Sequence, residues 1–320
     1  MLAAGLAALI VAAPSSVLGA ASPKTGVVIV NVRMAYGTGT STGTGMVLSS
    51  NGQVVTNNHV IRGAGSVRVT VPSTGRTYTA TVAGYSVSKD IALLGLSKAV
   101  GLQTVKTGNS STVEVRDHVT TVGNAGGNGL RTKTGTVTGL GQSITVDDDG
   151  SPFTLVGLIE TTAPLRPGDS GGPMLVRGRV IGMNAAASSS FMYEDGSEGY
   201  AIPIDRVLEI ASQIDAGSSS STVHVGPTAF LGVSLAPAGF RGEEEGALVR
   251  DVVSGSPAAK AGIGRGDLIT RFAGKRVTSR ATLRKLVLQY SPGQTVKIAW
   301  IDPYEGATSA TVRLVAGPPQ

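Results

Sequence analysis

A chain of 320 residues has room for two domains, and 41% apolar residues are enough to build packed cores. The absence of cysteine excludes disulfides, thiolate metal sites and a cysteine nucleophile. Lys and Arg outnumber Asp and Glu by 27 to 21, but no basic cluster interleaves with aromatic residues, so nucleic acid is not an expected partner. Most of the excess lies at the end: Gly226 to Gln320 holds 12 basic and 7 acidic residues, a surplus of 5.

The first twenty-one residues are small and apolar. Leu2 to Ala13 is short for a bilayer span, Pro14 interrupts it, and Gly19-Ala20-Ala21 fits a small-x-small cleavage site. This predicts a secretory signal over residues 1–21. No Lys or Arg precedes the apolar run, so a retained N-terminal membrane anchor is the alternative. Both place the remainder outside the cytoplasm, secreted or in the cell envelope.

From Val27 to about Ala185 short β-branched runs alternate with Gly, Ser and Asn. Val67, Val69 and Val71 alternate with Arg68 and Thr70, the pattern of a strand with one buried face. Many short strands and few helical stretches predict a mainly β fold of barrels or a sandwich. Gly37 to Gly45 lacks the Gly-Lys-Ser/Thr ending of a phosphate loop and reads as a flexible turn entering a strand. No nucleotide, metal or other cofactor is expected. Ile204, Val207, Leu208, Ala211 and Ile214 recur at helical spacing after Pro203. Residues 215–227, rich in serine, read as a flexible linker. Residues 228–316 carry five strand-like segments and one helix, with Ser279 as its cap and Leu283, Leu286, Val287 and Tyr290 on one face, a small α+β module.

Pro167-Gly-Asp-Ser170-Gly-Gly-Pro173 sets a serine among glycines, which allow a tight loop and close approach of a carbonyl. A serine hydroxyl needs a base and amides aimed at the developing oxyanion. Three histidines are candidates for the base. His59 follows a strand, His118 starts one, and His224 lies in the linker. Asp90 directly precedes the apolar strand Ile91-Ala-Leu-Leu94, where a carboxylate can be half-buried to orient an imidazole. In chain order His59, Asp90 and Ser170 give the His-Asp-Ser sequence of chymotrypsin-type double barrels. Gly168 to Gly172 also fits Gly-x-Ser-x-Gly of α/β-hydrolases, but that fold places its histidine after the serine, where only His224 stands.

Asn57-Asn-His59-Val60, Asp90-Ile-Ala-Leu93, Pro167 to Pro173 and Gly199-Tyr-Ala-Ile-Pro203 resemble the HtrA/Deg family of serine proteases, and the closing module resembles its PDZ domain. The likeness covers about Val27 to Ala316, and Thr222 to Gly232 is most similar to secreted mycobacterial members of the PepA type. The resemblance implies a protease domain over 25–214 and a peptide-binding domain over 228–316. It assigns His59, Asp90 and Ser170 as the catalytic triad and Gly168, Asp169 and Ser170 to the oxyanion loop. It places Leu165, Ala185 and Ala186 at an apolar substrate pocket for small or medium aliphatic side chains, and Phe230, Leu231, Gly232 and Val233 at the loop receiving a peptide C-terminus. Thr162 and Ala185 stand where the family often has Asp and Thr, a departure bearing on rate and subsite preference. The implied function is ATP-independent endoproteolysis of unfolded or misfolded proteins. A protease-fold chaperone that cuts little is the rival reading, and a homotrimer or a monomer both fit.

Overall fold

The structure is a computed structural model describing residues 22–37, 39–147, 152–185, 199–237 and 245–320. The expected signal, residues 1–21, and the pocket candidate Ala186 lie outside the described residues.

Six antiparallel strands form a first barrel: β1 (Val27–Met34), β2 (Thr40–Val47), β3 (Gln53–Thr56), β4 (Ala64–Val71), β5 (Arg76–Ser86) and β6 (Ile91–Leu96). Strand β5 pairs with both β4 and β6, which closes the sheet. The alternation in β4 has its expected result, with Val67 and Val69 buried and Arg68 exposed. A one-turn helix, α1 (Asn58–Ile61), follows β3 and sets Val60 and Ile61 into the barrel core. The run Gly37 to Gly45 is not a turn throughout. From Thr40 it is strand β2, paired with β1 from Thr40 to Met46, and Gly43 to Val47 are buried. Threonine and glycine give no apolar alternation here because this end of β2 is covered by a second barrel rather than by its own core.

That second barrel comprises β7 (His118–Gly123), β8 (Arg131–Asp147), β9 (Pro152–Thr161), β10 (Pro173–Val176), β11 (Arg179–Asn184) and β12 (Gly199–Pro203), closed by pairing of β10 with β7. Helix α2 (Ile204–Asp215) buries Ile204, Val207, Ile210, Ala211 and Ile214 against the protein, while Leu208 is only partly buried.

The serine-rich segment does not stay a free linker. Val223 is buried, and β13 (His224–Val225) adds to the free flank of β5 beside Tyr85 and Gly84. Val223 supplies the apolar side chain that the serines before it lack, and the backbone of His224 and Val225 then joins the ladder. The C-terminal module contains β14 (Thr228–Phe230), β15 (Val233–Leu235), β16 (Ala247–Val252), α3 (Pro257–Lys260), β17 (Leu268–Phe272), β18 (Lys275–Arg276), α4 (Arg280–Val287), β19 (Thr295–Asp302), β20 (Gly306–Arg313) and β21 (Val315–Gly317). Ser279 caps α4 by accepting the Thr282 N–H, and Leu283, Leu286 and Val287 are buried beneath it. At the C-terminus Gly317 belongs to β21, and the Pro319 carbonyl accepts the Gly63 N–H at 2.8 Å.

Tyr85 ties the module to the first barrel. It is fully buried, its hydroxyl bonds the Thr228 hydroxyl at 3.0 Å, and burial pushes its pKa up to about 12. The His224 ring lies 5.1 Å from that of Tyr85. Burial lowers the His224 pKa, opposed in part by the backbone of Pro227, Leu288 and Gly226. The unfolded chain therefore takes up this proton at a higher pH than the folded one. The stabilisation is complete above the ordinary histidine value and is lost as pH falls through the lowered one. Between roughly pH 7 and pH 5 the melting temperature of the His224→Phe variant should fall less than that of the wild type, as calorimetry would show. Equal falls would remove His224 from the pH response.

Candidate active site

The serine loop is built by backbone bonds that leave it little freedom. Asp169 N–H donates to Arg166 O at 2.9 Å, Gly172 N–H to Asp169 O at 3.0 Å, and Gly171 N–H to Asn184 O at 2.9 Å. Gly171 has φ 84°, a conformation glycine adopts without strain, and a Cβ there would fall on the Thr44 carbonyl and the Thr56 hydroxyl. The loop is fixed to the first barrel through Thr44 of β2. Thr44 N–H donates to Ser170 O at 2.8 Å, and its hydroxyl donates to Gly168 O at 2.7 Å. The Thr56 hydroxyl, at the end of β3, donates to Thr44 O at 2.7 Å. Three residues later comes His59.

At Gly43 the two halves meet. A Cβ added there would touch both γ-methyls of Val60, the neighbour of His59, and the carbonyl of Ser170. The histidine turn and the serine loop thus close over the same point of β2.

Asp90 lies in the turn before β6, 4% exposed, at φ 53°, a left-handed conformation uncommon outside glycine. Asn57 Nδ2 donates to its carbonyl at 2.9 Å. The carboxylate receives His59 twice, the backbone N–H on Oδ1 at 2.9 Å and the ring Nδ1 against Oδ2 at 2.8 Å. An ionised carboxylate only accepts, so Nδ1 carries the proton and Nε2 keeps its lone pair. The His59 side chain is 37% exposed, open to a substrate, whereas Asp90 is shut away from water. Among the three histidines only His59 stands at this seam. His118 is exposed at the start of β7, and His224 packs on Tyr85.

Of the loop residues, Asp169 does not face the site with a donor. Its N–H is occupied by Arg166, and its side chain, 1% exposed, turns into the second barrel. This corrects its place among the oxyanion residues. Gly168 N–H donates to no described residue. Of the pocket candidates, Ala185 is 4% exposed, with its N–H on Tyr200 O at 2.8 Å, and the half-buried Leu165 lies over Gly199, so both border the start of β12. Thr162 is exposed, its hydroxyl accepting the Thr136 N–H. Thr44, Thr56 and Asn57 position the site but carry no sequence signal beyond their neighbourhood to His59 or to the glycine run.

In the C-terminal module Phe230 to Val233 face Arg280, Leu283 and Val287 of α4 across a groove of about 200 Å³. Leu231 itself is a core side chain, 3% exposed. The Phe230 ring stacks on Tyr36 of the first barrel, with centroids 5.6 Å apart.

Two six-stranded antiparallel barrels with a His-Asp pair and a serine loop at their seam define a trypsin-like peptidase, here followed by a module with a strand-and-helix groove. Family models agree, a trypsin-like peptidase domain matching residues 43–183 and a PDZ domain residues 230–301. A probable periplasmic serine endoprotease, DegP-like, of Chlamydia trachomatis serovar D is 36% identical over 267 residues, covering 79% of this chain and 50% of that protein. The serine protease PepD of Mycobacterium tuberculosis is 30% identical over 288 residues, covering 85% of this chain and 60% of PepD. The solved structure of the HtrA-type protease AlgW with decapeptide superposes with a TM-score of 0.52 at 23% identity over 92% of this chain and 96% of AlgW, a likeness of fold. The chain belongs to the HtrA family of serine proteases. It spans about half the length of the first curated relatives it matches.

Proposed function

We propose that the chain is an extracytoplasmic, ATP-independent serine endopeptidase acting on unfolded proteins and exposed peptide segments. The observation that carries this reading is the doubly bonded Asp90–His59 pair beside a serine loop held by the same β2 residue that receives Thr56. Ser170 Oγ attacks the scissile carbonyl, and His59 Nε2 takes its proton and later gives it to the leaving amine. Asp90 keeps Nδ1 protonated and stabilises the imidazolium. Gly168 and Ser170 N–H groups receive the oxyanion. Water then repeats the sequence on the acyl-enzyme.

Leu165 and Ala185 border an apolar pocket for small or medium aliphatic side chains. Phe230 to Val233 receive an apolar peptide C-terminus, which adds as a strand beside α4. The protease domain spans 25–214 and the peptide-binding domain 228–316. Relatives named as periplasmic support a location outside the cytoplasm. No helix of the described residues is long and apolar enough to cross a membrane.

A fluorophosphonate should label the wild-type chain and not Ser170→Ala, and the wild type should cut a denatured protein without ATP. A wild type that neither labels nor cuts, with or without peptide, would return the reading to a chaperone.

A further inference from the structure

One buried ion pair is unused by the reaction described so far. Asp169, between Gly168 and Ser170, sends its carboxylate inward, away from substrate. There Oδ2 accepts the Arg166 N–H at 2.9 Å and pairs with Nζ of Lys133. Oδ1 is buried with no partner among the described residues. Lys133 lies within β8, opposite Thr121 of β7, with its side chain 17% exposed. Two residues along β7, Gly123 leaves the space the carboxylate occupies, since a Cβ there would fall on Asp169 Oδ1 and Cα.

A carboxylate removed from water needs a cation or many donors, and one left alone is driven to neutralise or to turn outward. No described group donates to Oδ1, and the Arg166 N–H on Oδ2 is neutral, so Lys133 is the cation that balances the charge. The peptides on either side of Asp169 carry its own N–H and the Ser170 N–H, and the first also carries the Gly168 carbonyl that the Thr44 hydroxyl holds, so a displacement of Asp169 turns the Ser170 N–H directly and reaches the Gly168 N–H through the Gly168 backbone. The ion pair therefore acts on the direction in which these amides point.

We infer that Lys133 is a positioning residue for the reaction: its ammonium holds Asp169 inside the second barrel and so keeps the oxyanion-binding amides turned toward the substrate carbonyl. The inference rests on Ser170 being the nucleophile.

The test uses the full chain as wild type, Lys133→Met, Lys133→Arg and the double variant Lys133→Met with Asp169→Asn. Lys133→Met should lower kcat about 100-fold with KM nearly unchanged, the scale of losing one oxyanion donor, and should slow fluorophosphonate labelling comparably. Lys133→Arg, which keeps the cation, should stay within about 10-fold of wild type. The double variant should recover at least about 10-fold over Lys133→Met, because a neutral amide needs no cation. Melting curves and rates per labelled site separate lost fold from lost positioning. The inference is overturned if Lys133→Met retains the wild-type rate per labelled site, or if the double variant is no faster than the single one. A wild type that never labels overturns the nucleophile reading, and this inference with it.

Discussion

Removal of the Ser170 hydroxyl, as Ser170→Ala, should lower kcat about a million-fold, and His59→Ala should cost about as much. The two losses should not add, so the double variant should be no slower than either single one. The reason is geometric. The His59 ring has one nitrogen committed to Asp90 at 2.8 Å, and its remaining nitrogen has no task without a hydroxyl to deprotonate. A serine without its base is in turn an ordinary alcohol. What survives in all three variants is substrate binding and the oxyanion amides, worth about a thousand-fold over water or somewhat more. Long incubations with a chromogenic peptide, corrected for the uncatalysed reaction, would measure this. A double variant slower than each single one by a further factor of about 1,000 would show that Ser170 and His59 act separately, against the assignment.

Asp90→Asn should lower kcat about 10,000-fold while leaving the fold in place. Asn retains an oxygen for the His59 backbone N–H that Asp90 Oδ1 now accepts. Its amide nitrogen would take the place of Oδ2 and present a donor to Nδ1. The imidazole would then hold its proton on Nε2, facing the serine with a donor where a lone pair is needed. Asp90 is 4% exposed, so no water can supply the missing acceptor cheaply. The loss should therefore appear in kcat with KM close to wild type. A fall of less than about 100-fold, in a variant that melts normally, would mean that Asp90 does not set the tautomer.

The pairing of His59 with Asp90 could be read from residue order, because few histidines compete and each motif is local, and the proposed triad adds Ser170 to it. Strand β4 and helix α2 could be read from periodicity, since each has one face against a core of its own domain. What could not be read depends on contacts between distant segments. Thr44 sits in a Thr/Gly run without alternation and looks like part of a turn, yet it is fully buried because the second barrel covers it. The family resemblance sets Asp169 among the oxyanion residues, and nothing in Thr132-Lys-Thr134 reveals that Lys133 pairs with it inside the second barrel. Val223 to Val225 took the character of the serines before it, and the flank of β5 that receives β13 cannot be inferred from either segment alone.

Thr44 spends its N–H and its hydroxyl at one seam, the N–H donating to Ser170 O and the hydroxyl donating to Gly168 O and accepting the Asn124 N–H, while its carbonyl accepts the Thr56 hydroxyl within its own barrel. A small slip of one barrel past the other would break several of the seam bonds together and part the nucleophile from its base, with both barrels still folded. On the proposed assignment, activity should therefore report on alignment between halves, and heat or pressure should silence it before either half melts.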